Sequence, residues 1–233
     1  MSDSTLWLFD FDNTLVRLEP EVDWAASRRE LEPLLHAASA PQQLFEKFPK
    51  GNLLLYDAYR THLAGLIRQD GHAHDAILRQ ASEIIEKFEL QGVDRATALE
   101  GAGELIRSLR GNGNAVGIVT SNSSRTVQRW IDKHQLADSV SVIVGRDSLL
   151  PLKPSPEMIL RALKLAAVNA KAASYVGDSA ADFASAQAAG VPFYGIASAA
   201  AARDALLSAG ATQIYPSPAA LAIHLDAARA RPQ

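Results

Sequence analysis

Leu6-Trp7-Leu8-Phe9-Asp10-Phe11-Asp12-Asn13-Thr14-Leu15 is the stretch that decides the fold. Four apolar residues run without polar interruption and stop at an aspartate. So short an apolar run fits a buried parallel strand, because helices on both faces of such a sheet leave no polar face to alternate with. The same pattern recurs downstream. Ala115-Val116-Gly117-Ile118-Val119 ends at Thr120-Ser121-Asn122, Val140 to Val144 ends at Gly145-Arg146-Asp147, and Ala173 to Val176 ends at Gly177-Asp178. Val191 to Ile196 and Thr212 to Tyr215 read as two more strands.

Helical patterns lie between these runs. Gly103 to Arg110 carries Leu105, Ile106 and Leu109, with Gly111 as a stop. Ser155-Pro156 is expected to open a helix bearing Met158, Ile159, Leu163 and Leu165, with Ser155 as N-cap and Pro156 at the first helical position. Ala180 to Ala189 reads as a helix ended by Gly190. From about residue 96 onward the β-α-β-α alternation predicts an α/β fold with a doubly wound, Rossmann-like parallel sheet.

Residues 18–95 break that rhythm. Val22 to His36 looks helical, Leu55, Tyr56, Tyr59, Leu63, Leu66 and Ile67 fall at helical spacing, and so do Ile77, Ala81, Ile84, Ile85 and Phe88. Pro41, Pro49-Lys50-Gly51 and Asp70-Gly71 mark loops, and His72-Ala73-His74 reads as polar loop surface without a metal-binding partner pattern. The expected organisation is a core made of residues 1–17 and 96–233, interrupted by an all-helical cap over 18–95.

Composition bounds the function. The chain has 233 residues, more than one average domain and less than two. Lys and Arg number 23 against 26 Asp and Glu, so no basic field recruits a nucleic-acid backbone. Cysteine is absent, which excludes disulfides, thiolate metal sites and cysteine nucleophiles. Met1 to Thr5 contain no Lys or Arg to make a positive n-region, Leu6 to Phe9 is too short for a signal segment, and no run approaches the roughly 18 apolar residues of a membrane helix. The expectation is a cytoplasmic protein without a leader or a membrane anchor.

Four features carry chemistry. Asp10-Phe11-Asp12-Asn13-Thr14-Leu15 follows the first strand; taken alone it also fits a metal-free loop with two solvated carboxylates. The Thr120 hydroxyl and the amides after it suit phosphate oxygens, although Thr120-Ser121-Asn122 alone also reads as an N-cap for the helix near Arg125. Lys153-Pro154 alone fits a surface lysine, and Gly177-Asp178-Ser179-Ala180-Ala181-Asp182 alone fits a glycine turn with an aspartate cap. All four lie where strands end or connecting loops pass, the edge at which open parallel sheets bind ligands. Several carboxylates facing a phosphate repel it, and a hard cation such as Mg²⁺ resolves that repulsion.

With these motifs in this order, the sequence resembles the haloacid-dehalogenase-like hydrolases, in particular the phosphoglycolate-phosphatase-like branch with a helical cap. Leu152-Lys153-Pro154-Ser155-Pro156-Glu157 and Ala189-Gly190-Val191 strengthen the likeness, which covers the core; the cap matches in position, length and helical character. The resemblance implies that Asp10 is the nucleophile and forms an aspartyl-phosphate, and that Asp12 is the general acid and then the general base. It implies that Thr120 and the Ser121 amide, in the loop that also holds Asn122, bind phosphoryl oxygens, and that Lys153 stabilises Asp10 and the transferring group. It places Mg²⁺ among Asp10, Asp12 through its backbone carbonyl, Asp178 and Asp182, with Asp182 orienting metal-bound water or Lys153. An acidic Asp12 disfavours the dehalogenating and phosphonate-cleaving members, and Asn13, where many relatives carry glycine, reads as neutral because asparagine tolerates left-handed backbone.

The resulting expectation is a Mg²⁺-dependent phosphatase acting on a small phosphorylated metabolite. Alternatives are a sugar phosphomutase of the same superfamily, a phospho-accepting receiver or a non-catalytic binding module; the receiver is disfavoured because its acceptor lies at a later strand and it has no long helical insertion. Phosphoglycolate, sugar phosphates and nucleotides are all open as substrates, and so are monomer and homodimer. Arg17, Lys50, Arg60, His62 and Arg125 are the cationic candidates for holding an acidic substrate, Arg17 and Arg60 foremost; Tyr56 and Tyr59 fall on the apolar stripe and read as core.

Overall fold

The computed structural model describes residues 5–66 and 71–229. Ile67 and Asp70 lie outside the described residues, as does the side chain of His72. Strand β1 (Leu6–Phe9) occupies the middle of a six-stranded sheet in the order β5-β4-β1-β6-β7-β8. The other strands are β4 (Ala115–Val119), β5 (Val142–Val144), β6 (Ala173–Gly177), β7 (Phe193–Ile196) and β8 (Ile214–Tyr215), and every pairing in the sheet is parallel. Leu8 pairs with Gly117 on one side and Tyr175 on the other. From β1 the chain lays β4 and β5 to one side, then crosses to build β6, β7 and β8 on the other. The strand order therefore reverses beside β1, which opens a crevice at the carboxyl ends of β1, β4 and β6.

Alternation along β1 explains why it has no polar face. Leu6 and Leu8 pack with Met158 and Ile159 of α7 (Glu157–Ala166) and Ala186 of α8 (Ala180–Ala189). Trp7 and Phe9 pack on the opposite side with Leu105 and Ile106 of α5 (Ala102–Gly111) and Trp130 of α6 (Ser124–Lys133). Helices α9 (Ala200–Ala209) and α10 (Pro218–Arg229) complete the layers.

Between the antiparallel pair β2 (Val16–Arg17) and β3 (Thr97–Ala98) lie α1 (Trp24–Ala37), α2 (Gln42–Lys47), α3 (Asn52–Leu66) and α4 (Gly71–Val93). Leu31, Leu35, Leu55, Tyr56, Tyr59, Ala81 and Ile85 bury the faces these helices share. Helix α4 packs against α1 and α3 and also against α6 of the sheet layer. Among the described residues, no helix is long and apolar enough to cross a membrane.

Several local expectations are corrected. Val140 to Val144 shortens to β5 at Val142, and Val191 to Ile196 starts at Phe193, since Pro192 has no N–H to donate to the ladder. The cap of α6 is Ser123, whose Oγ accepts from the Thr126 amide, rather than Thr120 to Asn122. Helix α7 begins at Glu157 with Pro156 at the N-cap; the Ser155 amide instead donates to the Leu152 carbonyl. Gly71 and His74 belong to α4, not to a loop: first-turn amides have no partner inside a helix, so glycine there costs little, and Ile77, Ala81 and Ile85 hold the helix from the core side. Leu66, expected on the apolar stripe, is 61% exposed, and α2 together with the β2–β3 pair had no pattern long enough to read.

Because Leu8 is fully buried in the central strand, Leu8→Ala is expected to lower unfolding stability by about 2–5 kcal/mol in a urea titration; a loss under about 1 kcal/mol would contradict the placement of β1 at the core.

Candidate active site

The end of β1 turns sharply. The Asp10 amide still donates to the Val176 carbonyl of β6, and the next residues fold back so that the Leu15 amide donates to the Phe11 carbonyl. Asn13 sits at φ 57°, in the left-handed region that asparagine tolerates, and its amide reaches the Val16 carbonyl. Asp12 Oδ1 accepts from the amides of Leu18 (2.8 Å) and Glu19 (3.2 Å), so this carboxylate is tied to the chain entering the helical insertion. Phe11, between the two aspartates, is buried edge-on against Trp130.

Lys153 is the hub. Its Nζ lies 2.5 Å from Asp10 Oδ1 and 2.5 Å from Asp182 Oδ1, and all three side chains are almost completely buried. Asp182 Oδ1 also accepts from the Tyr175 hydroxyl at 3.1 Å, while its Oδ2 accepts from the Ser179 amide at 3.0 Å and the Ser179 hydroxyl at 2.5 Å. Ser179 and Asp182 thus form the capping box of α8, which fixes the carboxylate from below. A Cβ on Gly177 would stand 2.5 Å from Asp182 Cβ, so only glycine lets β6 pass this carboxylate.

Carboxylate oxygens of Asp10, Asp178 and Asp182 all lie within 4.8 Å of one another. The donor set fits Mg²⁺, which takes oxygen ligands and one or two carboxylates. Asp182 already receives four hydrogen bonds, so Asp10 and Asp178 are the carboxylates placed to hold the ion and Asp182 is placed to orient Lys153. The Asp12 carboxylate is not part of this cluster.

Burial pushes Asp10 up to about 7; the Lys153 charge opposes this and the Asp182 charge adds to it. Asp178 is pushed up to about 8 by burial and then by the charges of Asp10 and Asp182. Burial also raises Asp12, against the pull of the Leu18 and Glu19 amides. Burial alone would lower Lys153, but Asp10 and Asp182 outweigh it and hold the ammonium well above its usual range.

Thr120 ends β4 and is buried, with its amide on the Val144 carbonyl. Its hydroxyl donates to Asn122 Oδ1 at 3.1 Å and accepts from the Asn122 amide at 3.2 Å. Asn122 Nδ2 donates to Glu89 of α4 at 3.0 Å, so this side chain holds Thr120 from behind rather than facing the crevice. Ser121 is half-buried between them. Glu89, Arg146 and Tyr175 were not anticipated: a charge buried by a distant partner has no local signature, and Tyr175 reads as an ordinary strand aromatic.

Of the cationic candidates for substrate binding, Arg17 lines the cleft beside Asp178, and Arg60 and Arg125 are taken up in ion pairs. Arg17 is exposed and lines a cleft of about 370 Å³ with Asn13, Pro20, Leu99, Asp178 and Ser198. Arg60 pairs with Asp57 at 2.7 Å, and Asp57 in turn accepts from the Leu152 amide beside Lys153. Arg125 pairs with Glu86, His62 lines a groove on the insertion, and Lys50 is exposed. Tyr56 and Tyr59 are core, as expected.

Residues 35–196 match the model of the haloacid dehalogenase-like hydrolase family, a span that includes Thr120, Lys153, Asp178 and Asp182. The chain is 29% identical over 212 residues to a phosphoglycolate phosphatase of Rhodospirillum rubrum, covering 89% of this chain and 85% of that one. It is 30% identical over 189 residues to one of Cereibacter sphaeroides, covering 80% and 82%. Its fold resembles a Pseudomonas syringae hydrolase crystal structure with a TM-score of 0.65, 23% identity, and 96% and 99% of the two chains aligned.

Carboxylates whose pKa rises on folding favour the folded state only while protonated. Their contribution is fully present below the ordinary carboxylate value of 3.8 and is lost as pH climbs through about 7 for Asp10 and about 8 for Asp178. In the presence of a chelator, the melting temperature is therefore expected to fall between about pH 5 and about pH 8.5, and added Mg²⁺ to restore more of it at the upper end. A Mg²⁺ increment that does not grow with pH would contradict this placement of the two carboxylates.

Proposed function

For a chain that belongs to the haloacid dehalogenase-like hydrolases, we propose a Mg²⁺-dependent phosphatase that hydrolyses a small phosphorylated metabolite through a phosphorylated Asp10. The observation that carries this reading is Lys153 held between Asp10 and Asp182, with Asp178 beside them and the Thr120 loop at the neighbouring strand end. The division into a core of residues 1–17 and 96–233 and a cap of 18–95 belongs to the same proposal. The cytoplasmic assignment also belongs to it.

In the first step an Asp10 carboxylate oxygen attacks phosphorus, the bond from phosphorus to the ester oxygen breaks, and Asp12 gives its proton to that oxygen. The raised pKa of Asp12 suits a group that must arrive protonated. In the second step Asp12 takes a proton from water, the water oxygen bonds to phosphorus, and the Asp10–phosphorus bond breaks to free phosphate. Lys153 neutralises charge on Asp10 and on the equatorial oxygens, the Ser121 amide holds those oxygens in line, and the Thr120 hydroxyl joins it by turning its one proton from Asn122 Oδ1 to the phosphoryl group. Mg²⁺, when bound between Asp10 and Asp178, supplies positive charge that lets a phosphate approach three carboxylates. The named relatives favour a small acidic substrate of the phosphoglycolate type, and exposed Arg17 beside the 370 Å³ cleft is suited to its carboxylate.

With a chromogenic phosphate ester and Mg²⁺, folded Asp10→Asn is expected to release no phosphate and Asp12→Asn to lose about 10²–10⁴ in kcat. Wild-type release by folded Asp10→Asn would overturn the reading, and an isomerised sugar phosphate in place of free phosphate would redirect it to mutase chemistry. Arg17→Ala is expected to raise KM for phosphoglycolate about tenfold while leaving the chromogenic ester nearly unaffected; equal effects on both would remove Arg17 from substrate binding.

A further inference from the structure

Glu89 and Arg146 lie outside all four motifs, yet both are fully buried and both reach the phosphate-loop residues. Glu89 belongs to α4 of the insertion; Arg146 follows β5 of the sheet. Arg146 places five donors. Its Nη1 reaches Glu89 Oε1 at 2.7 Å and the Ser121 carbonyl at 2.8 Å, its Nη2 reaches Glu89 Oε2 at 3.2 Å and the Ser82 carbonyl at 3.1 Å, and its Nε reaches Ser82 Oγ at 3.1 Å. These five bonds use every N–H of the guanidinium. Glu89 in turn accepts from Asn122 Nδ2, the Ser123 amide and the Thr126 hydroxyl.

The contacts converge on one peptide. The Ser121 carbonyl and the Asn122 N–H share a plane, and both sides are held: the carbonyl by Arg146, the N–H by Thr120 Oγ1. Asn122, itself held by Glu89, also accepts from the Thr120 hydroxyl through its Oδ1. The orientation of Thr120 and Ser121 is thus set from α4. Stability is a poor reason for such a pair, because a buried ion pair is often replaced by apolar residues without loss.

We propose that Glu89 is a positioning residue for phosphoryl transfer: through Arg146 and Asn122 it fixes the Thr120–Ser121–Asn122 loop in the shape that receives the phosphoryl oxygens. The inference rests on the phosphatase reading above. It also makes α4 a shared element, part of the insertion in sequence and part of the catalytic loop's support in space.

The test is the double variant Glu89→Leu/Arg146→Met, which removes both charges and keeps the site filled. A melting temperature near that of the wild type, KM for a chromogenic phosphate ester within about threefold, and kcat lower by about tenfold or more are expected, since small misplacements of binding groups act on the chemical step. A folded double variant with wild-type kcat overturns the proposal. Should the double variant fail to fold, Arg146→Lys takes its place: it keeps the charge but lacks the fork that reaches the Ser121 carbonyl, and the same split between kcat and KM is expected, wild-type kcat again overturning it. A wild-type chain without turnover would remove the phosphatase reading. Positioning is then read from inorganic phosphate binding in Mg²⁺, expected to weaken about tenfold in the variant. Equal affinity, or no phosphate binding by the wild type, overturns the proposal.

Discussion

Three aspartates crowded at the end of a buried strand are the constraint on which the rest of this structure depends. Asp10, Asp178 and Asp182 have carboxylate oxygens within 4.8 Å of one another, where like charges and lost hydration both oppose ionisation. One lysine answers two of them at once, 2.5 Å from each. That arrangement holds only because Asp182 is anchored four ways and because Gly177 leaves room for it. The remaining negative charge is the electrostatic reason the site suits a divalent cation, and the same cation makes an anionic substrate tolerable.

The fold delivers these groups through strand order. β1, β4 and β6 are neighbours in space though distant in sequence, so Asp10, Thr120 and Asp178 emerge side by side from a rigid sheet. Lys153 arrives on the loop between β5 and α7. The helical insertion leaves from the turn that carries Asp12, and Asp12 is bonded to its first amides. At its other end, the insertion's last helix supplies Glu89 to the Thr120 loop. Both ends of the insertion are therefore hydrogen-bonded to residues at the carboxyl edge of the sheet, a physical route from insertion geometry to that edge.

What was legible in the sequence was what depends on local pattern. Short apolar runs ending in Asp10, Thr120 and Gly177-Asp178 identified the sheet and its working edge, since strand burial and strand ends are written residue by residue. Asn13 was neutral as sequence, and only the structure shows that its backbone is left-handed. Cap residues were misplaced by a few positions, at Ser123 and Pro156, because competing hydrogen bonds at Asn122 and Ser155 decide them. Glu89 and Arg146 were illegible: a glutamate next to Phe88 in an amphipathic helix looks solvated until an arginine 57 positions away is folded against it. Likewise Arg17 and Arg60 looked equivalent as sequence, and only the fold separates the one at the cleft from the one paired with Asp57.

Asp10 as the covalent phosphoryl carrier is the central claim, and chemical trapping addresses it most directly. Enzyme turning over a phosphate ester with Mg²⁺ is quenched with borohydride, which reduces an acyl phosphate but not a free carboxylate, and the peptide containing residue 10 is analysed by mass spectrometry. Homoserine at position 10, formed only in the presence of substrate, is the predicted result. Turnover with Asp10 unreduced, or reduction at another aspartate such as Asp178, would contradict it.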